Sequence, residues 1–131
     1  MDVTGKKDFG KHYLVDFLGC DPDSLRFVDR TREVFLRAAR EARATLVAEA
    51  FHQFAPEGVS GVLLIAESHL SVHTWPEDCF AAVDIFTCGE EMDAQLAIDV
   101  LRDAFQAEEI VVRVHVRGSL GESAPPEADS G

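Results

Sequence analysis

Residues 59–76 read VSGVLLIAESHLSVHTWP. The first eight of these residues form an almost continuous apolar run of strand length, which predicts a strand buried at the centre of a sheet. A second extended segment follows Glu67 and Ser68 and runs to Trp75, where Pro76 stops it. Serine and histidine side chains in so apolar a region cost free energy when they lack hydrogen-bond partners. The segment therefore predicts two successive strands whose polar residues have a role beyond packing.

Further strands are predicted on both sides of this segment. Residues 13–18 and 81–86 alternate in polarity, and residues 45–54 have extended character before a Pro-Glu-Gly turn. Near the end of the chain, three valines share one face of a last strand and three basic or histidine side chains share the other. These residues are Val112, Val114 and Val116, and Arg113, His115 and Arg117.

Two amphipathic helices complete the predicted domain. Apolar residues recur at helical spacing from Leu25 to Ala42, with Asp23 or Ser24 available as a cap, and again after Asp93. We expect an α+β fold, a two-layer sandwich of a largely antiparallel sheet with both helices on one face. An open sheet face that is apolar in part would form a dimer surface. Residues 1–118 make up one domain in this interpretation, and residues 119–131 a flexible tail.

Charge and composition exclude several classes of protein. The net charge of −12 argues against nucleic acid or an anionic membrane surface as a partner, because phosphate is bound by Lys and Arg. Residues 68–131 carry three basic against thirteen acidic side chains; this acidic half serves solubility or steers a cationic substrate. We expect no membrane helix and a cytoplasmic location. Three cysteines without a C-x-x-C pair indicate reduced thiols rather than a disulfide framework.

Two generic sites can be considered among the polar residues between positions 60 and 88. A metal site at His69 and His73 is disfavoured, because positions four apart on a strand lie about 13 Å from each other. A nucleophile site with Cys88 activated by His73 and oriented by Asp84 is compatible with the spacing. Such trios also occur by accident in small domains, so the pattern alone is weak.

A resemblance to a known family makes the prediction specific. The stretch GVSGVLLIAESHLSVHTWPE at residues 58–77, followed by AAVDIFTCG at residues 81–89, closely resembles the small bacterial and archaeal S-adenosylmethionine decarboxylase proenzymes. The resemblance extends through Gly10-Lys11-His12 and covers roughly residues 8 to 118.

This resemblance implies self-cleavage between Glu67 and Ser68 into residues 1–67 and 68–131. Ser68 would attack the preceding carbonyl, and elimination followed by loss of ammonia would leave a pyruvoyl group on residue 68. By the same resemblance, His73 accepts the Ser68 α proton during processing and Ser60 assists the acyl shift. The pyruvoyl group would be the only cofactor, with neither a metal nor pyridoxal phosphate.

The resemblance also implies roles in turnover. The pyruvoyl group would form a Schiff base with the substrate amine and accept the electrons released with carbon dioxide, while Cys88 returns a proton to the α carbon. Phe54 and Trp75 match positions that sandwich an adenine ring, and Glu77 matches an acid that binds ribose hydroxyls. The product would be the aminopropyl donor for spermidine synthesis. The family is expected to form a homodimer of cleaved protomers, with active sites near the interface and Phe54 contributed across it.

The chain departs from the common family pattern at Asp78-Cys79-Phe80, where an aromatic residue, a glycine and another aromatic residue are often found. This departure leaves open a change of substrate to arginine or ornithine, which relatives of the same fold decarboxylate. A non-enzymatic ligand-binding domain of the same shape is a further alternative. Ser68, His73 and Cys88 together argue against it, because binding alone requires none of them.

Overall fold

The computed structural model describes residues 9–66, 68–88 and 92–118. Its strands are β1 (Gly10–Leu18), β2 (Leu46–Gln53), β3 (Val59–Ile65), β4 (Ser68–Trp75), β5 (Phe80–Thr87) and β6 (Glu109–Arg117). The helices are α1 (Val28–Glu41) and α2 (Ala94–Phe105), and short 3₁₀ helices span Pro22–Leu25 and Pro76–Asp78. The predicted tail at 119–131 lies outside the described residues.

The six strands form one sheet in the order β2-β3-β4-β5-β1-β6. Each neighbouring pair is antiparallel, which confirms the predicted α+β class with an antiparallel sheet. The apolar run that opens the quoted segment forms β3, and the extended segment after it forms β4. These two strands pair from Ser60 with His73 to Ile65 with Ser68. The serines and histidines of the quoted segment therefore lie inside the sheet rather than in a loop, and Glu67 lies outside the described residues.

Both helices pack on one face of the sheet. The core combines sheet residues such as Val15, Leu70 and Ile85 with helix residues such as Phe35 and Leu101, all nearly inaccessible to solvent. Alternate strand residues point to the opposite, open face. This face is apolar in part: Leu14, Val62 and Phe86 are half-buried and Leu64 is 48% exposed. Among the described residues, no helix is long and apolar enough to cross a membrane.

The start of the first helix differs from the predicted one. Asp21, rather than Asp23 or Ser24, accepts a hydrogen bond as cap of the 3₁₀ helix, and α1 begins only at Val28. No side chain of the adjacent sequence caps α1. Instead, the Val28 amide donates to Oε1 of Gln53, 2.6 Å away on β2. A cap supplied from a strand distant in sequence cannot be recognised from local pattern.

A threonine on β4 fixes the 3₁₀ segment against the sheet. The Thr74 hydroxyl accepts from the Val59 amide and donates to the Leu25 carbonyl, both at 2.9 Å, and the residue is 8% exposed. We expect Thr74→Val to lower the free energy of unfolding by about 1–3 kcal/mol, because two backbone groups lose their partner. Urea unfolding measures this loss. Thr74→Ser keeps the hydroxyl and should retain most of the stability; equal losses in both variants would contradict the hydrogen-bond explanation.

Candidate active site

The most direct chemical feature of the open face is a serine–histidine pair. Ser60 and His73 are register partners on β3 and β4, and Ser60 Oγ lies 2.7 Å from Nδ1 of His73. When Nδ1–H donates to the hydroxyl oxygen, the lone pair on Nε2 is free to accept a proton. The strand pairing thus holds an imidazole in a fixed orientation, which is what a positioned base needs.

This pair opens into a cavity of about 280 Å³ at the end of β4. Trp75 is 40% exposed there and lies 5.4 Å from the Phe80 ring, measured between ring centroids. Phe54, 46% exposed, stands on the facing loop. The cavity lining consists of Phe54, Glu57, Gly58, Ser60, His73, Thr74, Trp75, Pro76 and Glu77. Two exposed aromatic faces and a carboxylate suit a flat ring that carries hydroxyl groups.

The loop that carries Phe54 is held by backbone hydrogen bonds. The Phe54 amide donates to the Gly58 carbonyl at 2.8 Å, and the Gly58 amide donates to the Arg26 carbonyl at 2.9 Å. Gly58 has a φ of 113°, a backbone conformation open to glycine and strained for other residues. Arg26 also contacts Glu57, with Nε 3.0 Å from a carboxylate oxygen. The position of Phe54 relative to the cavity is therefore set by the chain beneath it.

Ser68 and Cys88 lie at the other end of the same strands. Ser68 is the first residue of β4 and donates from Oγ to the Ala66 carbonyl at 3.4 Å. His69 is the register partner of Phe86 on β5, which places Ser68 beside Thr87 and one residue from Cys88. Cys88 is exposed. A serine at a strand start and an accessible thiol thus share one end of the sheet.

The predicted site residues consequently form two groups, which one chain does not bring together. Ser68 and His73 are five residues apart on a continuous strand, or about 16 Å. His73 pairs with Ala82, six residues before Cys88, or about 20 Å. The Cys88–His73–Asp84 nucleophile trio is therefore not assembled within one chain. His69 and His73 lie four residues apart on the extended strand β4, which confirms the strand geometry that argued against a metal site at this pair.

A histidine cluster beside Ser68 was not predicted as part of the site. The His12 ring centroid lies 6.2 Å from that of His69 and 6.0 Å from that of Phe86. His12 Nε2 is 3.8 Å from a carboxylate oxygen of Asp84. Burial lowers the pKa of His12, and Asp84 opposes that shift. The Gly-Lys-His triplet at 10–12 was the only sequence signal, because these side chains meet through strand pairing alone.

Comparison with known proteins gives a consistent result. The family model for S-adenosylmethionine decarboxylase matches residues 11–118. A Thermosipho africanus protein named S-adenosylmethionine decarboxylase proenzyme is 43% identical over 121 residues, covering 92% of this chain and 93% of that protein. A proenzyme of the same name from Pyrococcus abyssi is 48% identical over 99 residues, covering 76% and 71%.

Solved structures agree in fold. The crystal structure of the adenosylmethionine decarboxylase from Aquifex aeolicus matches with a TM-score of 0.82 at 37% identity, covering 91% of this chain and 98% of that one. A Trypanosoma brucei AdoMetDC monomer shares the fold at a TM-score of 0.60 and 18% identity, covering 92% of this chain and 55% of that one. Residues 11–118, which the family model matches, include both groups of candidate site residues. The chain therefore belongs to the S-adenosylmethionine decarboxylase family.

Proposed function

We propose that this chain is a proenzyme that cleaves itself between Glu67 and Ser68 and then converts S-adenosylmethionine to its decarboxylated form and carbon dioxide. The observation that carries the proposal is the hydrogen-bonded Ser60–His73 pair beside an aromatic cavity, with His73 on the strand that Ser68 begins. The product would serve as aminopropyl donor for spermidine, in the cytoplasm. No observation favours arginine, ornithine or a purely binding function.

The processing step follows from the residue types. Ser68 Oγ attacks the carbonyl carbon of residue 67, and the amide becomes an ester as the nitrogen of residue 68 leaves that carbon. A base removes the α proton of residue 68, the carboxylate of residue 67 departs, and hydrolysis of the resulting dehydroalanine releases ammonia. Ser60 and His73 supply a hydroxyl and an imidazole suited to these proton transfers. The resulting pyruvoyl group supplies the electron sink for loss of carbon dioxide.

The distance between the two groups of residues supports an active site shared between two chains. His73 is about 16 Å from Ser68 along β4, well beyond the roughly 3 Å of a proton transfer. A twofold dimer that packs the open faces together about an axis perpendicular to the strands turns one end of each sheet toward the opposite end of its partner. Each active site would then take Ser68 and Cys88 from one chain and Ser60 and His73 from the other. The partly apolar open face, with Leu64 48% exposed, supports this packing.

Each remaining group has a role in this arrangement. We assign to Cys88 the return of a proton to the substrate α carbon, which its exposure and its position at the same end of the sheet as Ser68 support. Phe54 and Trp75 would hold the adenine ring between them, and the Glu77 carboxylate would accept hydrogen bonds from ribose hydroxyls. The net charge of −12 favours approach of the cationic sulfonium substrate.

Substrate identity is tested by release of labelled carbon dioxide from carboxyl-labelled S-adenosylmethionine, arginine and ornithine. We expect release from S-adenosylmethionine alone. Trp75→Leu should raise KM for this substrate by about twofold to tenfold, because an aromatic stacking contact contributes about 0.5–1.5 kcal/mol. Trp75→Phe keeps a ring and should stay near the parent value. Preferred release from arginine or ornithine, or equal KM values for both variants, would contradict the assigned substrate pocket.

A further inference from the structure

Two of the three cysteines are neighbours at the end of the sheet that carries the aromatic cavity. The Cys20 amide, just beyond β1, donates to the Cys79 carbonyl, just before β5, at 2.9 Å. A backbone N–H···O=C hydrogen bond of this length holds the two Cα atoms within about 7 Å of each other, given the ordinary N–Cα, Cα–C and C=O bond lengths. The Cα atoms of two cysteines joined by a disulfide usually lie about 4.4–6.8 Å apart, so these two residues are close enough to be bridged. Both residues are free thiols in the structure.

The two thiols differ in accessibility. Cys20 is 3% exposed, and its thiol donates weakly to the Phe17 carbonyl at 3.5 Å. Burial, together with the neighbouring Cys79 thiolate, raises the pKa of Cys20 to about 11. Cys79 is half-buried, so solvent reaches it more readily. This is the usual division between an attacking thiol at the surface and a resolving thiol behind it.

The backbone at Cys79 gives a second, independent indication. Cys79 ends the 3₁₀ helix Pro76–Asp78 in the left-handed conformation, with φ 52° and ψ 43°, and its amide donates to the Pro76 carbonyl at 3.1 Å. Glycine is the residue that adopts this conformation without strain, and helices commonly end on it. The chain instead has a cysteine here, directly against a second cysteine. Packing explains a small buried thiol at Cys20 without any partner. It does not explain a cysteine at position 79, where the backbone favours glycine.

We propose that Cys20 and Cys79 form a reversible disulfide that links residues 1–67 to residues 68–131. The linking role rests on the proposed cleavage, because only then do the two cysteines belong to separate polypeptides. The disulfide would also tie the turn that carries Trp75 and Glu77 to the end of β1. Cys88 does not compete within one chain, because it lies at the far end of β5, about 26 Å along the strand from Phe80.

A small-molecule disulfide such as oxidised glutathione is the oxidant in this reaction. The Cys79 thiolate attacks one sulfur of the oxidant, and one glutathione thiolate leaves. The Cys20 thiolate then attacks the Cys79 sulfur of the mixed disulfide, and the second glutathione thiolate leaves. Two protein thiols are oxidised, one disulfide is reduced, and two protons pass from the cysteines to the glutathione thiolates through solvent. Because the pKa of Cys20 is raised, the second step should accelerate as the pH is increased.

The test uses the full chain, incubated with oxidised glutathione at mildly alkaline pH and then denatured in the presence of excess N-ethylmaleimide, so that every free thiol is labelled. We expect one species near 14.4 kDa without reductant and two smaller polypeptides after dithiothreitol. Peptide mapping should place the linkage at Cys20 and Cys79. Cys79→Gly removes the thiol at a position whose φ favours glycine, so it should fold, lose the linkage and give two polypeptides without reductant.

The outcomes separate this inference from the proposed cleavage. If the chain stays in one piece after reduction, cleavage has failed, and the disulfide is then judged by maleimide count: one label of a possible three in the oxidised chain supports it. Three labels after exhaustive oxidation would overturn the disulfide whether or not the chain is cleaved. Two polypeptides without any reductant would overturn the disulfide while leaving cleavage intact. A linkage that persists in Cys79→Gly would overturn the assignment to this pair.

Discussion

Replacement of Ser68 by alanine should leave the chain in one piece and reduce decarboxylation below detection. The hydroxyl oxygen of residue 68 is the atom that attacks the preceding carbonyl, and no other group on the chain can supply the oxygen of the ester. Without cleavage, no pyruvoyl group is made, so the variant lacks the electron sink on which carbon dioxide loss depends. The measurement is the intact mass of denatured protein, which should stay near 14.4 kDa on long incubation.

Ser71→Ala is the matched control for this variant. Ser71 is on the same strand, on the open face, and is half-buried, but it has no part in the proposed chemistry. We expect Ser71→Ala to cleave and to retain activity, and both variants to unfold at temperatures close to that of the parent chain. Cleavage in Ser68→Ala would contradict the pyruvoyl mechanism. An intact Ser71→Ala chain would show that the strand tolerates no change, and the loss in Ser68→Ala would then have a structural cause.

The fold was largely predictable because its signals are local. The apolar run in β3 and the alternation in β1 and β5 each report which faces of a strand are buried. The start of α1 was predicted wrongly, because its cap comes from Gln53 on a strand that is remote in sequence. The pattern in β6 identified the valine face, but not that the helices leave it uncovered. Val112, Val114 and Val116 remain 39%, 49% and 45% exposed.

The sequence named the members of the candidate site but did not indicate their arrangement. Residue types and resemblance selected Ser60, Ser68, His73 and Cys88, but treating them as one site overlooked the strand that separates them. The rise per residue that places His69 and His73 about 13 Å apart separates Ser68 from His73 by about 16 Å. The His12 cluster was missed for a different reason. Its members come from β1, β4 and β5, and only the register brings them together.

Coexpression of two inactive variants tests the site shared between chains. Ser68→Ala and His73→Ala should each form uncleaved, inactive dimers. In a mixed dimer, Ser68 of the His73→Ala chain meets His73 of the Ser68→Ala chain, so one complete site is restored. Random pairing makes half of the dimers mixed, each with one of two sites intact, and we expect about a quarter of the parent activity. Distinct tags on the two chains should show cleavage only in the His73→Ala chain.

A second mixture distinguishes this geometry from general stabilisation by a partner. Ser68 and Cys88 lie at the same end of the sheet, so pairing Ser68→Ala with Cys88→Ala leaves every processed site without its thiol. We expect the Cys88→Ala chain to be cleaved in that mixture and the activity per cleaved chain to stay at the level of Cys88→Ala alone. If the first mixture restored neither cleavage nor activity, His73 would act within its own chain, and β4 would have to bend enough to close a gap of about 16 Å. Restoration in the first mixture and not in the second has one geometric explanation: each active site takes its serine and thiol from one sheet and its imidazole from the other.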